Sequence, residues 1–201
     1  MTGAAYTVAV LAGGAATRLD GRDKGLMRLD GRPLVEWVLA AAGLRAAPAD
    51  PAPPLLIVAN RHLDAYALHG PTIHDALPGH RGPLAGIAAA LAACRTDWLL
   101  SVPVDCPLPP PDLAVRLLAG PPDAAIRVAH DGERRQPLFA LYARELAASA
   151  AAAAAEQTGV YAWQDAVGAV EVDFADRRVH FDNLNTPSDF AAFRERLAPH
   201  A

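Results

Sequence analysis

The chain has 201 residues, 18 Lys and Arg against 22 Asp and Glu for a formal net charge of -4, and 52% hydrophobic residues. That length suits one domain, 1–201, with a substantial core, and the slightly acidic balance argues against wrapping a nucleic acid backbone while allowing a local basic pocket. The amino terminus lacks a basic region followed by an apolar run and a cleavage site, and no stretch has the length to span a bilayer, so a cytoplasmic protein with no membrane partner is expected. Cys94 and Cys106 form no zinc-type cluster with nearby histidines, which argues against a disulfide framework and a structural metal.

In chain order, Val8 to Leu11 is a short, apolar, β-prone run of the kind a buried parallel strand needs. It ends in a glycine-rich loop, Leu11 to Leu26, reading LAGGAATRLDGRDKGL. Glycines there let the backbone curl close around phosphate oxygens, and Arg18 and Lys24 can neutralise them. The loop is no P-loop, because Lys24 follows Asp23 and precedes Gly25 rather than Ser or Thr. It is no dinucleotide fingerprint either, because Gly13 and Gly14 are adjacent. The bland alternative is a surface loop with both cations solvated; Asp23, for its part, either positions the Lys24 ammonium or caps a turn.

A proline-started helix follows from Pro33 to Leu44, burying Leu34, Val35, Val38 and Leu39. Beyond the Asp50 to Pro54 connection, the pattern predicts a strand at Leu55 to Ala59, a short helix at Leu63 to Leu68, a strand at Thr72 to His74 and a helix from Pro83. Trp98 to Val102 reads as a central strand whose carboxyl end lies beside that of the first, given right-handed crossovers. A helix begins at Pro111-Asp112-Leu113, strands are predicted at Ala124 to Ala129, Gln136 to Tyr142 and Val170 to Phe174, and the alanine tract Ala147 to Ala155 reads as helix. The alternation favours a parallel sheet, and the expected fold class is α/β, a Rossmann-like three-layer sandwich with a mostly parallel central sheet.

Three further positions carry candidate chemistry. Val102-Pro103-Val104-Asp105-Cys106-Pro107 sets one carboxylate between prolines just past an apolar strand, where Asp105 can act as a hard oxygen ligand for magnesium or simply form a turn. Asn60 stands at a strand end, where an amide either binds ligand or caps. In Asn183-Leu184-Asn185 the alternation of an extended segment puts both amides on one face, unless they cap the helix near Pro187.

Leu11-Ala12-Gly13-Gly14, Arg18 and Asp23-Lys24-Gly25-Leu26 together resemble the signature loop of the molybdenum cofactor guanylyltransferase (MobA) family within the nucleotidyltransferases. The resemblance extends to Asn60-Arg61-His62, His74-Asp75 with Gly82-Pro83-Leu84-Ala85-Gly86, Asp105-Cys106-Pro107, and Asn183-Leu184-Asn185-Thr186-Pro187. It implies a nucleotide-diphospho-sugar transferase-like fold and transfer of GMP from GTP to the terminal phosphate of molybdopterin. Leu11, Ala12, Gly13, Gly14, Lys24, Asn60, Asp75 and Asp105 would bind the nucleotide. Arg18, Lys24 and Asp105 would be catalytic, with Mg2+ on Asp105, and Asn183 and Asn185 would bind the acceptor. The implied partners are GTP and molybdopterin, with transient contact to molybdenum insertion proteins or acceptor molybdoenzymes. His74 is assigned no role beyond structure.

The chain departs from the family pattern at three places. Asp20 stands where the family has glycine, Gln136 where it commonly has histidine, and Glu156 to Tyr161 contains none of the arginines the family often carries there. A CTP-dependent or other small-molecule nucleotidyltransferase, or a nucleotide-binding regulator without catalysis, are the competing readings.

Overall fold

The computed structural model describes residues 5–13, 23–42, 53–75 and 82–197. Gly14, Arg18 and Asp20 lie outside the described residues, as do the predicted last turn of the first helix beyond residue 42 and the start of the connection before residue 53.

In chain order the first half comprises β1 (Tyr6–Leu11), a 3-10 turn at Lys24–Leu26, β2 (Arg28–Leu29), β3 (Arg32–Pro33), α1 (Leu34–Ala41), β4 (Leu55–Val58), α2 (Leu63–Ala67), β5 (Thr72–Ile73), α3 (Pro83–Ala93) and β6 (Trp98–Pro103). The second half comprises α4 (Leu113–Leu118), β7 (Ile126–His130), β8 (Arg135–Ala143), α5 (Ala147–Ala155), α6 (Val160–Val167), β9 (Val170–Asp173) and α7 (Pro187–Leu197). Pro33 precedes α1 instead of opening it, because its extended backbone pairs with Arg28 in a small hairpin. The hairpin turns at Asp30 and Gly31, both with positive φ, the Asp-Gly pair that a two-residue turn favours.

Among the described residues the main sheet has seven strands in the order β5-β4-β1-β6-β8-β7-β9. The pairs β5/β4, β4/β1, β1/β6 and β7/β9 are parallel, while β8 is antiparallel to both its neighbours, so β8 alone runs against the rest. Val8 and Val10 of β1 bury on one face with Val35, Val38 and Leu39 of α1, whereas Ala9 and Leu11 bury on the other with Leu84, Ile87 and Leu91 of α3. The period-two alternation of a strand feeds both layers at once, which makes the sheet the middle of a three-layer sandwich. Among the described residues no helix is long and apolar enough to cross a membrane.

Two features of this sheet position the site. After β1 the chain moves outward to β4 and β5, then returns across to β6, so β1 and β6 part company at a topological switch point; there Leu11 pairs with Pro103. Ligands of open α/β sheets bind at the carboxyl ends of such strands. The β7/β8 register jumps from Val128↔Ala140 to Ala129↔Gln136, leaving residues 137–139 of β8 unpaired with β7. Pro137, which has no N–H to give a ladder, sits in that irregularity, and Leu138 beside it lines the cleft at the switch point.

Candidate active site

At the switch point a cleft of about 210 Å3 is lined by Leu11, Ala12, Gly13, Asp23, Lys24 and Asp105, together with Arg61, Pro83, Pro103, Val104 and Leu138. Five of the candidate nucleotide-binding residues therefore converge on one space. β1 delivers the first three: Ala12 continues its ladder by donating to Val58 O at 2.8 Å, and the chain then leaves the sheet at Gly13. β6 delivers Asp105, whose carbonyl accepts from Leu184 N at 2.8 Å and so ties the closing segment to the cleft.

Lys24 arrives on a separate turn, and here the two roles weighed for Asp23 separate. Asp23 Oδ1 accepts from Gly25 N at 3.2 Å and from Tyr66 Oη, so this carboxylate caps the 3-10 turn and anchors it to α2. The Lys24 ammonium instead points to Asp105, with Nζ 3.0 Å from Oδ2, and donates to Asn185 Oδ1. Burial first, and then the Asp23 carboxylate, pushes the Tyr66 hydroxyl well above the ordinary tyrosine range, so it remains a proton donor to Asp23. Tyr66 carries no local sequence signal, since a tyrosine on a five-residue helix reads simply as core and its partner lies 43 positions away.

Gly25 completes the turn by being small. A Cβ placed there would run into Tyr66 Oη and come within 2.9 Å of Val104 Cγ2. Gly25→Ala must therefore push the turn away from α2 and β6, and overpacking of this kind costs about 1–3 kcal/mol. Equilibrium urea unfolding is expected to show a loss in that range together with reduced turnover, whereas wild-type stability would show that the turn is not clamped.

Asn60 and Asp75 form a second constellation beside the first. Asn60 Nδ2 donates to Asp75 Oδ2 at 2.5 Å, and Asp75 N donates to Asn60 Oδ1 at 3.2 Å, a two-way clamp between the ends of β4 and β5. Asn60 also stands beside Gly13, where a Cβ would lie 3.5 Å from its Nδ2. The amide thus bridges the loop entrance to the Asp75 carboxylate. His74 bonds through Nδ1 to Asp75 O at 2.8 Å, consistent with a structural part.

The two asparagines of the closing segment diverge. Leu184 between them is buried with Leu29, Leu34, Phe190 and Phe193, as the alternation requires. Asn185 nevertheless joins Lys24 at the cleft, while Asn183 lines a neighbouring groove. Neither amide caps α7. That task falls to Thr186 Oγ1, which accepts from Asp189 N, and to Asp189 Oδ2, which accepts from Asn185 N and Thr186 N at 2.7 Å each. This is a capping box with Asp in place of Glu. The N–H of Asn185, and then that of Thr186, holds the Asp189 carboxyl below its ordinary range.

The donor set suits a hard divalent cation. Asp105 offers a carboxylate oxygen with its side chain 21% exposed, and Asp23 lines the same cleft. Among the described residues no three His, Cys, Asp or Glu side chains gather into a metal cage. One or two carboxylates completed by water and substrate phosphates is the arrangement magnesium prefers. Cys106 beside Asp105 is no alternative nucleophile, because burial, and then the charges of Asp105 and Asp182, pushes its thiol up and keeps it protonated.

Lys24, Arg61 and Asp105 face one cleft at the β1/β6 switch point, the place where open α/β sheets bind ligands. The family profile described as MobA-like NTP transferase domain matches residues 8–170. The molybdenum cofactor guanylyltransferase of Vibrio cholerae is 42% identical over 186 residues, 92% of this chain and 89% of that protein. The protein of the same name from Shewanella loihica is 38% identical over 193 residues, 94% and 95% of the two chains. The crystal structure of molybdopterin-guanine dinucleotide biosynthesis protein A from Archaeoglobus fulgidus superposes with a TM-score of 0.75 at 25% identity, covering 95% of this chain and 98% of that one. The chain belongs to the MobA-like NTP transferase family.

Proposed function

We propose that this protein transfers GMP from GTP to the terminal phosphate of molybdopterin, forming molybdopterin guanine dinucleotide and pyrophosphate. The observation that carries this reading is the meeting of Lys24, Asp105 and Asn185 at the carboxyl ends of β1 and β6, in a chain of the MobA-like NTP transferase family whose relatives are named molybdenum cofactor guanylyltransferase. In the reaction an oxygen of the acceptor phosphate forms a bond to the α-phosphorus of GTP. The bond from that phosphorus to the β-phosphate bridging oxygen breaks, and the electron pair leaves with pyrophosphate.

The nucleophile is already anionic, so the site needs no Ser-His-Asp or Cys-His arrangement, and positioning and charge neutralisation do the catalytic work. Leu11, Ala12 and Gly13, continued by Gly14, approach the nucleotide through their backbone. Asn60 and Asp75 hold the nucleoside: a carboxylate accepts from guanine N–H groups or ribose hydroxyls. Lys24, with Arg18, holds the triphosphate and stabilises charge developing on the leaving group. Asp105 would hold Mg2+, which when bound supplies Lewis-acid polarisation of phosphate oxygens. Asn185 keeps the Lys24 ammonium aimed across the cleft, and Asn183 faces the acceptor. The same reading places the enzyme in the cytoplasm as one catalytic domain over 1–201.

Pyrophosphate release with molybdopterin, Mg2+ and each nucleoside triphosphate in turn tests the proposal. GTP-selective release is the expected result. Selective use of CTP would overturn the base assignment, and GTP binding without pyrophosphate release would overturn the enzymatic reading.

A further inference from the structure

β8 keeps register with β6 only from Ala140 to Ala143 and leaves the β7 ladder between Gln136 and Ala140, so residues 137–139 pair with neither neighbour. The backbone carbonyls of such a stretch still need partners, and here buried side chains supply them. Gln164 Nε2 of α6 donates to Pro137 O at 2.8 Å, and Tyr142 Oη donates to the same oxygen at 3.1 Å. Ser101 Oγ of β6 donates to Leu138 O at 2.7 Å. All three side chains are fully buried. Burial pushes the Tyr142 hydroxyl up, so it stays a donor.

Gln164 ties this network together, because its second amide hydrogen goes to Tyr142 Oη at 2.9 Å. Its orientation is fixed: turning the amide over would set Oε1 against Pro137 O, one acceptor facing another. In that orientation Oε1 is buried with no hydrogen-bond partner among the described residues. A buried acceptor in this condition costs stability, and an apolar side chain of like shape would avoid the cost. Gln164 therefore stands here at some expense to the fold, as residues that serve a site commonly do. What the network holds is Leu138. The two peptide groups that flank this residue are the two whose oxygens are pinned, and its half-buried side chain lines the cleft with Pro83, Pro103, Lys24 and Asp105.

We propose that Gln164 is a positioning residue for the transfer reaction: with Tyr142 and Ser101 it pins both peptide groups around Leu138 and so fixes the apolar wall of the cleft that Lys24 and Asp105 share. This role rests on the guanylyl-transfer reading for the reaction it serves. Gln164 itself does not line the cleft, so its effect on turnover passes through Leu138. A fixed apolar wall keeps water out and confines the reacting phosphates, whose alignment tolerates little displacement.

The test is a double-mutant cycle of wild type, Gln164→Met, Leu138→Ala and the double variant, read by steady-state pyrophosphate release, urea unfolding and amide hydrogen exchange at Leu138 and Phe139. Gln164→Met keeps an unbranched side chain and loses the amide. It is expected to match wild type in urea, to speed exchange at the two amides roughly tenfold and to lower kcat/KM for GTP roughly tenfold. Leu138→Ala is expected to lower kcat/KM by a similar factor and the double variant to fall no further than about tenfold, whereas independent effects would multiply to about a hundredfold. Tyr142→Phe, which removes one donor and keeps the ring stacked on Trp163, takes the place of Gln164→Met in the cycle should that variant not fold. With wild type active, unchanged kcat/KM in Gln164→Met, multiplying losses in the double variant, or lost stability with normal turnover would each overturn the positioning role alone. A wild type that releases no pyrophosphate, with faster exchange in Gln164→Met, would overturn the transfer reading and leave the network as the device that holds the wall. Unchanged exchange in Gln164→Met would overturn the network whatever the activity.

Discussion

Lys24→Ala is expected to lower turnover roughly 100-fold to 1000-fold, the scale seen when one preorganised electrostatic donor is removed from a water-poor site. The side chain reaches 3.0 Å from Asp105 across the cleft, although 81 positions separate the two residues. It is held there by Asn185 and by a turn that Asp23, Tyr66 and Gly25 clamp to the fold. Such an arm does not need to reorganise when charge develops on the leaving pyrophosphate. The ion pair is partly exposed, at 24% and 21% for the two side chains, so its removal should cost little stability, and the thermal midpoint should change by only a few degrees. Single-turnover measurement of pyrophosphate release separates the two effects. Near wild-type turnover would remove Lys24 from the chemistry.

Asp105→Asn is expected to be at least as severe, with turnover falling about 1000-fold or more, since several kcal/mol of metal-mediated stabilisation converts at about 1.4 kcal/mol per tenfold. The substitution preserves shape and leaves the carbonyl that accepts from Leu184 N, so the closing segment should stay in place. What it removes is the charge: the amide is a poor ligand for magnesium and a weaker partner for the Lys24 ammonium. The dependence of rate on Mg2+ concentration should shift to higher concentrations in the variant. An unshifted magnesium dependence with near-normal turnover would exclude Asp105 as the metal-holding group.

The two predictions draw on residues that differ in how legible they were. Asp105 follows an apolar strand and sits between prolines, a purely local pattern, and the structure puts it at the end of β6 as that pattern requires. Leu11, Ala12 and Gly13 were legible for the same reason, and α5 occupies the alanine tract at the bounds its composition predicts. The hairpin at Asp30-Gly31 carries a usable local signal, a two-residue Asp-Gly turn between short runs. Helix α6 had a weaker one: it starts after Gly159 and stops at Gly168 in the left-handed conformation, but Gln164 and Asp165 interrupt its apolar stripe. Tyr66 had none, because it acts through a partner brought up from a distant element.

By itself, then, the sequence determined the order of most strands and helices, the glycine-rich loop and the carboxylate after β6, since periodicity, turn chemistry and side-chain type are local properties. Tertiary structure decided what those groups do to one another. Asp23 became the cap and Tyr66 its anchor, Lys24 crossed to Asp105, and Asn183 and Asn185, identical in kind and two residues apart, went to a groove and a cleft. The reason is physical: a hydrogen bond is settled within about 3 Å, and only the packing of α2, β6, β8 and the segment before α7 brings residues remote in sequence to that distance.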